Sequence, residues 1–128
     1  MKAAYFHTDM RKFAKSFSHA ARGIGHAFRY ERNFRIESVC AACALAASFL
    51  FPLPSAERAA VILTIGVVLS LELLNSALEW LMDVLKPEYH ESVKAVKDLS
   101  AAAVLIVSVF AALVGIVVFS PHLLRLAW

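Results

Sequence analysis

A long apolar segment that opens at Val61 ends in Glu72-Leu73-Leu74-Asn75-Ser76-Ala77-Leu78-Glu79-Trp80-Leu81-Met82-Asp83, and this combination restricts the fold more than any other stretch. A helix advances about 100° per residue, so Glu72, Glu79 and Asp83 fall within roughly 40° of one another, with Asn75 beside them. The result is one polar stripe on an otherwise apolar rod. A charged side chain near the centre of a bilayer costs roughly 2.5–3.5 kcal/mol even on the lenient insertion scale, and less toward the headgroups. Polar groups aligned in this way require a partner for their face: a metal ion, a cationic ligand, another helix or water.

Hydrophobic residues make up 60% of the 128-residue chain, well above the roughly 45–50% usual for soluble domains. The chain therefore reads as a small, all-α integral membrane protein with a single domain over 1–128. Residues 11–30 place Phe13, Phe17, Ala20, Ala21, Ile24 and Phe28 at three- and four-residue steps, with Lys12, Lys15, His19, Arg22, His26 and Arg29 largely between them. This is the pattern of an amphipathic helix at the membrane surface, its cations toward anionic headgroups. The first span is expected over 36–53, stopped by Pro52-Leu53-Pro54. The second is expected over 57–85 after a cap at Ser55, and the third over 97–119, before Pro121, within a helix that begins before Lys94. Cys40 and Cys43 lie inside an Ala-rich apolar run without a second cysteine pair, so they read as small apolar helix residues.

Eight of the 13 lysines and arginines precede the first span, one (Arg58) lies between spans one and two, three (Lys86, Lys94, Lys97) lie between two and three, and Arg125 follows. The positive-inside rule then puts the N-terminus and the 86–98 loop in the cytoplasm. The basic N-terminus leads into a mixed polar segment without the short apolar core and small-residue cleavage site of a signal peptide, so the spans themselves are expected to target the chain. On this orientation the acidic half of the second span lies beside the charged knot Glu31-Arg32-Asn33-Phe34-Arg35-Ile36-Glu37, at the cytoplasmic face.

Carboxylates gathered there, with His90, Lys97 and Asp98 in the adjoining loop, suit a divalent cation bound together with a polyphosphate. Magnesium takes one or two protein carboxylates plus phosphate oxygens, and lysine serves as a point charge on phosphate. A carboxylate left free of metal can accept a proton from a hydroxyl, and a site at membrane level favours a lipid alcohol. No G-x-x-x-x-G-K-[ST] occurs, which excludes a P-loop. The residues alone leave open a second reading, a non-enzymatic membrane subunit whose acidic stripe is a proton or cation path.

Three motifs in order over about residues 11 to 120 carry a resemblance. They are the 31–37 knot, Glu72-Leu73-Leu74-Asn75-Ser76-Ala77-Leu78-Glu79 with Asp83, and Pro87-Glu88-Tyr89-His90 followed by Lys97-Asp98 and Ala101-Ala102-Ala103-Val104-Leu105. Together they resemble the small prokaryotic diacylglycerol kinase and undecaprenol kinase family. The resemblance implies a homotrimer of three-span subunits in a prokaryotic inner membrane, with composite active sites between neighbours and no nucleic-acid partner. It implies transfer of the γ-phosphoryl group of ATP to the primary hydroxyl of a membrane lipid, with Mg2+. By position, Glu72 is the general base, and Glu31 and Glu79 hold the metal with the ATP phosphates. Glu88, Tyr89, His90, Lys97 and Asp98 contact the nucleotide, as do Lys12 and His19 on the surface helix. Asn75 and Glu37, with Lys12, order the site and meet the lipid. Lys12 stands where the diacylglycerol kinase pattern has arginine, which loses a bidentate fork, and His19 where it has tyrosine. The Glu-Arg-Asn-Phe-Arg-Ile form looks like the undecaprenol branch and Glu37 like the diacylglycerol branch, so the acceptor stays open.

Overall fold

The computed structural model describes residues 2–85 and 90–127, with side chains over 12–85 and 90–125. Four helices follow in order: α1 (Lys2–Tyr30), α2 (Arg32–Leu50), α3 (Ser55–Leu85) and α4 (Glu91–Ala127). The last three are long and apolar enough to cross a membrane, as the composition predicts. At about 1.5 Å per residue, the 19 residues of α2 measure about 28 Å, close to the roughly 30 Å of a hydrocarbon core. The 31 residues of α3 and 37 of α4 reach about 46 Å and 55 Å. Both are therefore longer than an apolar layer of that thickness requires, and the acidic stretch of α3 lies in its C-terminal half.

The junctions explain where the helices stop. A single extended residue, Glu31 (φ −97°, ψ 113°), separates α1 from α2, so the charged knot is helical from Arg32 onward. Arg35 reaches back from α2, its Nη1 donating to the carbonyls of Phe28 (3.2 Å) and Arg29 (3.0 Å) at the C-terminus of α1. A cation on otherwise unpaired terminal carbonyls satisfies them and complements the helix dipole. The α2–α3 junction repeats the device. There Arg58 Nε donates to Ser48 O (3.0 Å) and Nη2 to Leu53 O (3.4 Å), while its guanidinium stacks over Phe49 at 5.2 Å. Charged hydrogen bonds of this kind contribute roughly 1.5–3 kcal/mol each, less where water competes. Arg58→Leu is accordingly expected to lower stability by about 1.5–3 kcal/mol, read as an earlier thermal unfolding midpoint in detergent. A midpoint equal to that of the parent would show that the cap adds nothing.

The buried apolar core sits at this same end of the bundle. Leu53, Val61 and Val118 are buried, with Ala44, Phe51, Ile65, Val114 and Phe119 packed on them. Phe51 lies 6.0 Å from Phe119 and 5.8 Å from His122, centroid to centroid. These contacts fasten α4 on both sides of Pro121. The helix consequently continues to Ala127, where the sequence predicts a stop at Phe119. Proline costs a helix interior about 3 kcal/mol, and aromatic packing here outweighs it. Elsewhere the large apolar side chains of the spans face outward, among them Leu45, Phe49, Leu63, Leu105, Phe110 and Val117. Such a surface belongs in lipid or against other helices, because water would not tolerate it.

Candidate functional site

Away from the apolar core, the buried polar side chains collect on one face of α3. Glu72 is 2% exposed, and Asn75 and Ser76 are 7% exposed. Their steps of three and four residues put them on one face, and Glu79 follows a turn later. Glu37, Glu79 and Glu31 are the carboxylates whose charges bear on Glu72. Four acids from three places, the α1–α2 joint, α2 and α3, thus converge within one chain. Like charges repel strongly where water is scarce. A cluster of this kind costs stability unless something positive joins it.

Each acid except Glu72 has a neutral donor on one oxygen. Asn75 Nδ2 donates to Glu79 Oε1 (3.3 Å), Trp80 Nε1 to Glu31 Oε1 (2.9 Å), and Ser108 Oγ of α4 to Glu37 Oε1 (3.4 Å). Amide, indole and hydroxyl donors orient a carboxylate without cancelling its charge. Glu37 Oε2, Ser38 Oγ and Asn75 Oδ1 are buried without a partner among the described residues. Leaving a buried acceptor unpaired costs about 1–3 kcal/mol, so these atoms mark where a hydrogen-bond donor is wanted.

Two cavities adjoin the cluster. One, of about 370 Å³, lies among α2, α3 and α4, with Glu37, Thr64 and Ser108 in a mostly apolar wall that includes Ala44, Ala111 and Gly115. The other, of about 620 Å³, lies between α1 and α3, lined by Glu31, His26, Ser76 and Trp80 beside Gly23 and Ile24. Both combine a carboxylate with apolar walls.

The remaining expected site residues lie apart from the acids. Lys97 on α4 pairs with Asp83 of the α3 stripe, and Lys94 pairs with Asp98 at 2.7 Å. His90 caps α4: its carbonyl accepts from Val93 N and Lys94 N, and its Nδ1 from Ser92 N at 3.2 Å. Glu88 and Tyr89 lie outside the described residues. His19 Nδ1 lies 2.8 Å from Arg22 Nη2 on the exposed face of α1. Helix rise puts His19 about 10 Å, and Lys12 about 21 Å, along α1 from His26, the residue that meets Trp80. Among the described residues no three His, Cys, Asp or Glu side chains form a ready metal site. The donor set nevertheless fits magnesium, which needs only one or two carboxylates beside phosphate oxygens and water. Sequence reasoning did not find the roles of Trp80, Ser108 and the two capping arginines. A donor four residues from Glu79 is visible in Asn75; the others come from residues far away in the chain.

The sequence profile described as prokaryotic diacylglycerol kinase matches residues 18–119. The chain is 39% identical over 115 residues to the undecaprenol kinase of Bacillus subtilis (strain 168), covering 90% of this chain and 94% of that protein. It is 39% identical over 112 residues to the diacylglycerol kinase of Synechocystis sp., covering 87% of this chain and 64% of that protein. With the diacylglycerol kinase of Escherichia coli (strain K12) the identity is 29% over 115 residues, covering 90% and 94%.

Proposed function

Because the chain belongs to the prokaryotic diacylglycerol kinase family, we propose that it phosphorylates the primary hydroxyl of a membrane lipid, diacylglycerol or undecaprenol, at the cytoplasmic face of the inner membrane. The observation that carries this reading is Glu72, a carboxylate only 2% exposed in an apolar bundle, with Glu37, Glu79 and Glu31 acting on it. Glu72 is the general base. It accepts the proton of the lipid hydroxyl as that oxygen bonds to the γ-phosphorus of ATP and the bond from that phosphorus to the β,γ-bridging oxygen breaks, releasing ADP. Asn75 and Glu37, each with an unpartnered buried oxygen, order the acceptor beside it.

Glu31 and Glu79 hold magnesium together with the ATP phosphates. The ion, when bound, neutralises phosphate charge and orients the transferring group. Lys97 and Asp98 meet the nucleotide with Glu88, Tyr89 and His90, and the pairings Lys97–Asp83 and Lys94–Asp98 keep these charges compensated beforehand. Lys12 and His19 lie too far along α1 to reach their own subunit's acids without bending the helix. A homotrimer, in which α1 serves a neighbour's site, accounts for both residues and covers part of the outward apolar surface.

Purified protein in mixed micelles is expected to convert diacylglycerol to phosphatidic acid, or undecaprenol to undecaprenyl phosphate, with ATP and magnesium. Running both lipids side by side identifies the acceptor by its higher kcat/KM. Chelation of magnesium is expected to stop turnover, and readdition to restore it. Phosphorylation of neither lipid under these conditions contradicts the reading.

A further inference from the structure

Trp80 follows Glu79 directly, so the step of about 100° on α3 turns it off the acidic face and toward α1. There its indole Nε1 donates to Glu31 Oε1 at 2.9 Å, across 49 residues of sequence. His26 of α1 meets the Trp80 ring edge-on at 4.7 Å, and Tyr30 lies 6.3 Å away, also edge-on. His26 and Tyr30 are themselves 4.6 Å apart. The indole is therefore braced by two rings of the helix that ends immediately before Glu31.

Glu31 needs such a donor. It is the one extended residue between α1 and α2, and its own side chain makes no cap hydrogen bond to the helix that follows. Its carboxylate thus hangs from a joint on a flexible stem. An arginine or lysine would fix it but would also neutralise it. Indole N–H is a donor only and carries no charge, so it fixes one oxygen and leaves the negative charge and the other oxygen for a cation. A neutral donor behind a metal-binding carboxylate commonly governs affinity by orienting the ligand.

We propose that Trp80 is a positioning residue that sets the Glu31 carboxylate for magnesium, so that consecutive residues of α3 supply one acidic ligand, Glu79, and the orientation of the other. The proposal rests on the reading of Glu31 as a magnesium ligand. Trp80→Phe keeps the aromatic ring and removes the donor. It is expected to raise the magnesium concentration giving half-maximal activity about tenfold, with kcat at saturating magnesium and the lipid KM within a few fold of the parent. Adding Trp80→Phe to Glu31→Ala should then cost little more than Glu31→Ala alone, because both act through one carboxylate. The chain has two tryptophans, so Trp128→Phe leaves Trp80 as the sole indole emitter. In that background Glu31→Ala is expected to shift the emission of Trp80, a readout independent of activity and of whether Trp80→Phe folds.

An unshifted emission overturns the hydrogen bond and the proposal with it. A magnesium midpoint moved by Glu31→Ala but not by Trp80→Phe overturns the proposal alone. A midpoint that neither variant moves overturns the magnesium role of Glu31, and so the ground the proposal stands on. Additive losses in the double variant assign Trp80 to packing.

Discussion

Glu72→Gln is expected to lower turnover at least about 10²-fold, the loss that follows removal of a positioned general base. Glutamine keeps the size of the side chain and its capacity to hydrogen-bond, so magnesium, ATP and lipid should still bind within a few fold. The deficit should therefore appear in kcat with little change in KM. Stability should move the other way. Glu72 is buried with Glu37, Glu79 and Glu31 acting on it, and removing its charge relieves repulsion in a poorly solvated place. A variant that unfolds at an equal or higher temperature while losing turnover is the signature of a group kept for chemistry at the expense of the fold. Intact turnover in micelles would remove Glu72 from the role of base.

Glu79→Ala is expected to act on the metal. It deletes a carboxylate that Asn75 holds by one oxygen at 3.3 Å, and the magnesium concentration needed for half-maximal rate should rise at least about tenfold. High magnesium should restore part of the rate, which no concentration of metal should do for Glu72→Gln. The contrast separates the two acids experimentally although they stand on one helical face. An unchanged magnesium titration would contradict the metal role of Glu79.

The acidic face of α3 was legible because helical period is a property of sequence, and seven residues return a side chain to nearly the same direction. The approach of Glu31 and Glu37 to that face followed from span order and loop charge. What joins the acids was not legible. Trp80 and Ser108 reach partners 49 and 71 residues away, and an indole beside apolar residues or a lone serine in a span carries no local sign of its partner. Asp83 belongs to the stripe by period, yet it leaves the acids for Lys97, because α4 presents a cation there that only the packed structure brings near. His90 stood out as a site residue, but its capping of α4 depends on a helix start at Glu91, and the expectation of a helix beginning before Lys94 did not fix that residue. Pro121 misled in the opposite sense, since the aromatic contacts on both sides of it come from Phe51, in the junction between α2 and α3.

The single-residue joint between α1 and α2 also fixes a phase relation. One residue inserted between Tyr30 and Glu31 would turn everything upstream by about 100° against α2, taking His26 and Tyr30 away from Trp80 and the carbonyls of Phe28 and Arg29 away from Arg35. A longer linker would absorb such a change; a joint of one residue transmits it whole. Substitutions along α1 can be tolerated one at a time, but a change in chain length at this point moves the entire helix out of step with the acids, so here the number of residues is itself a functional constraint.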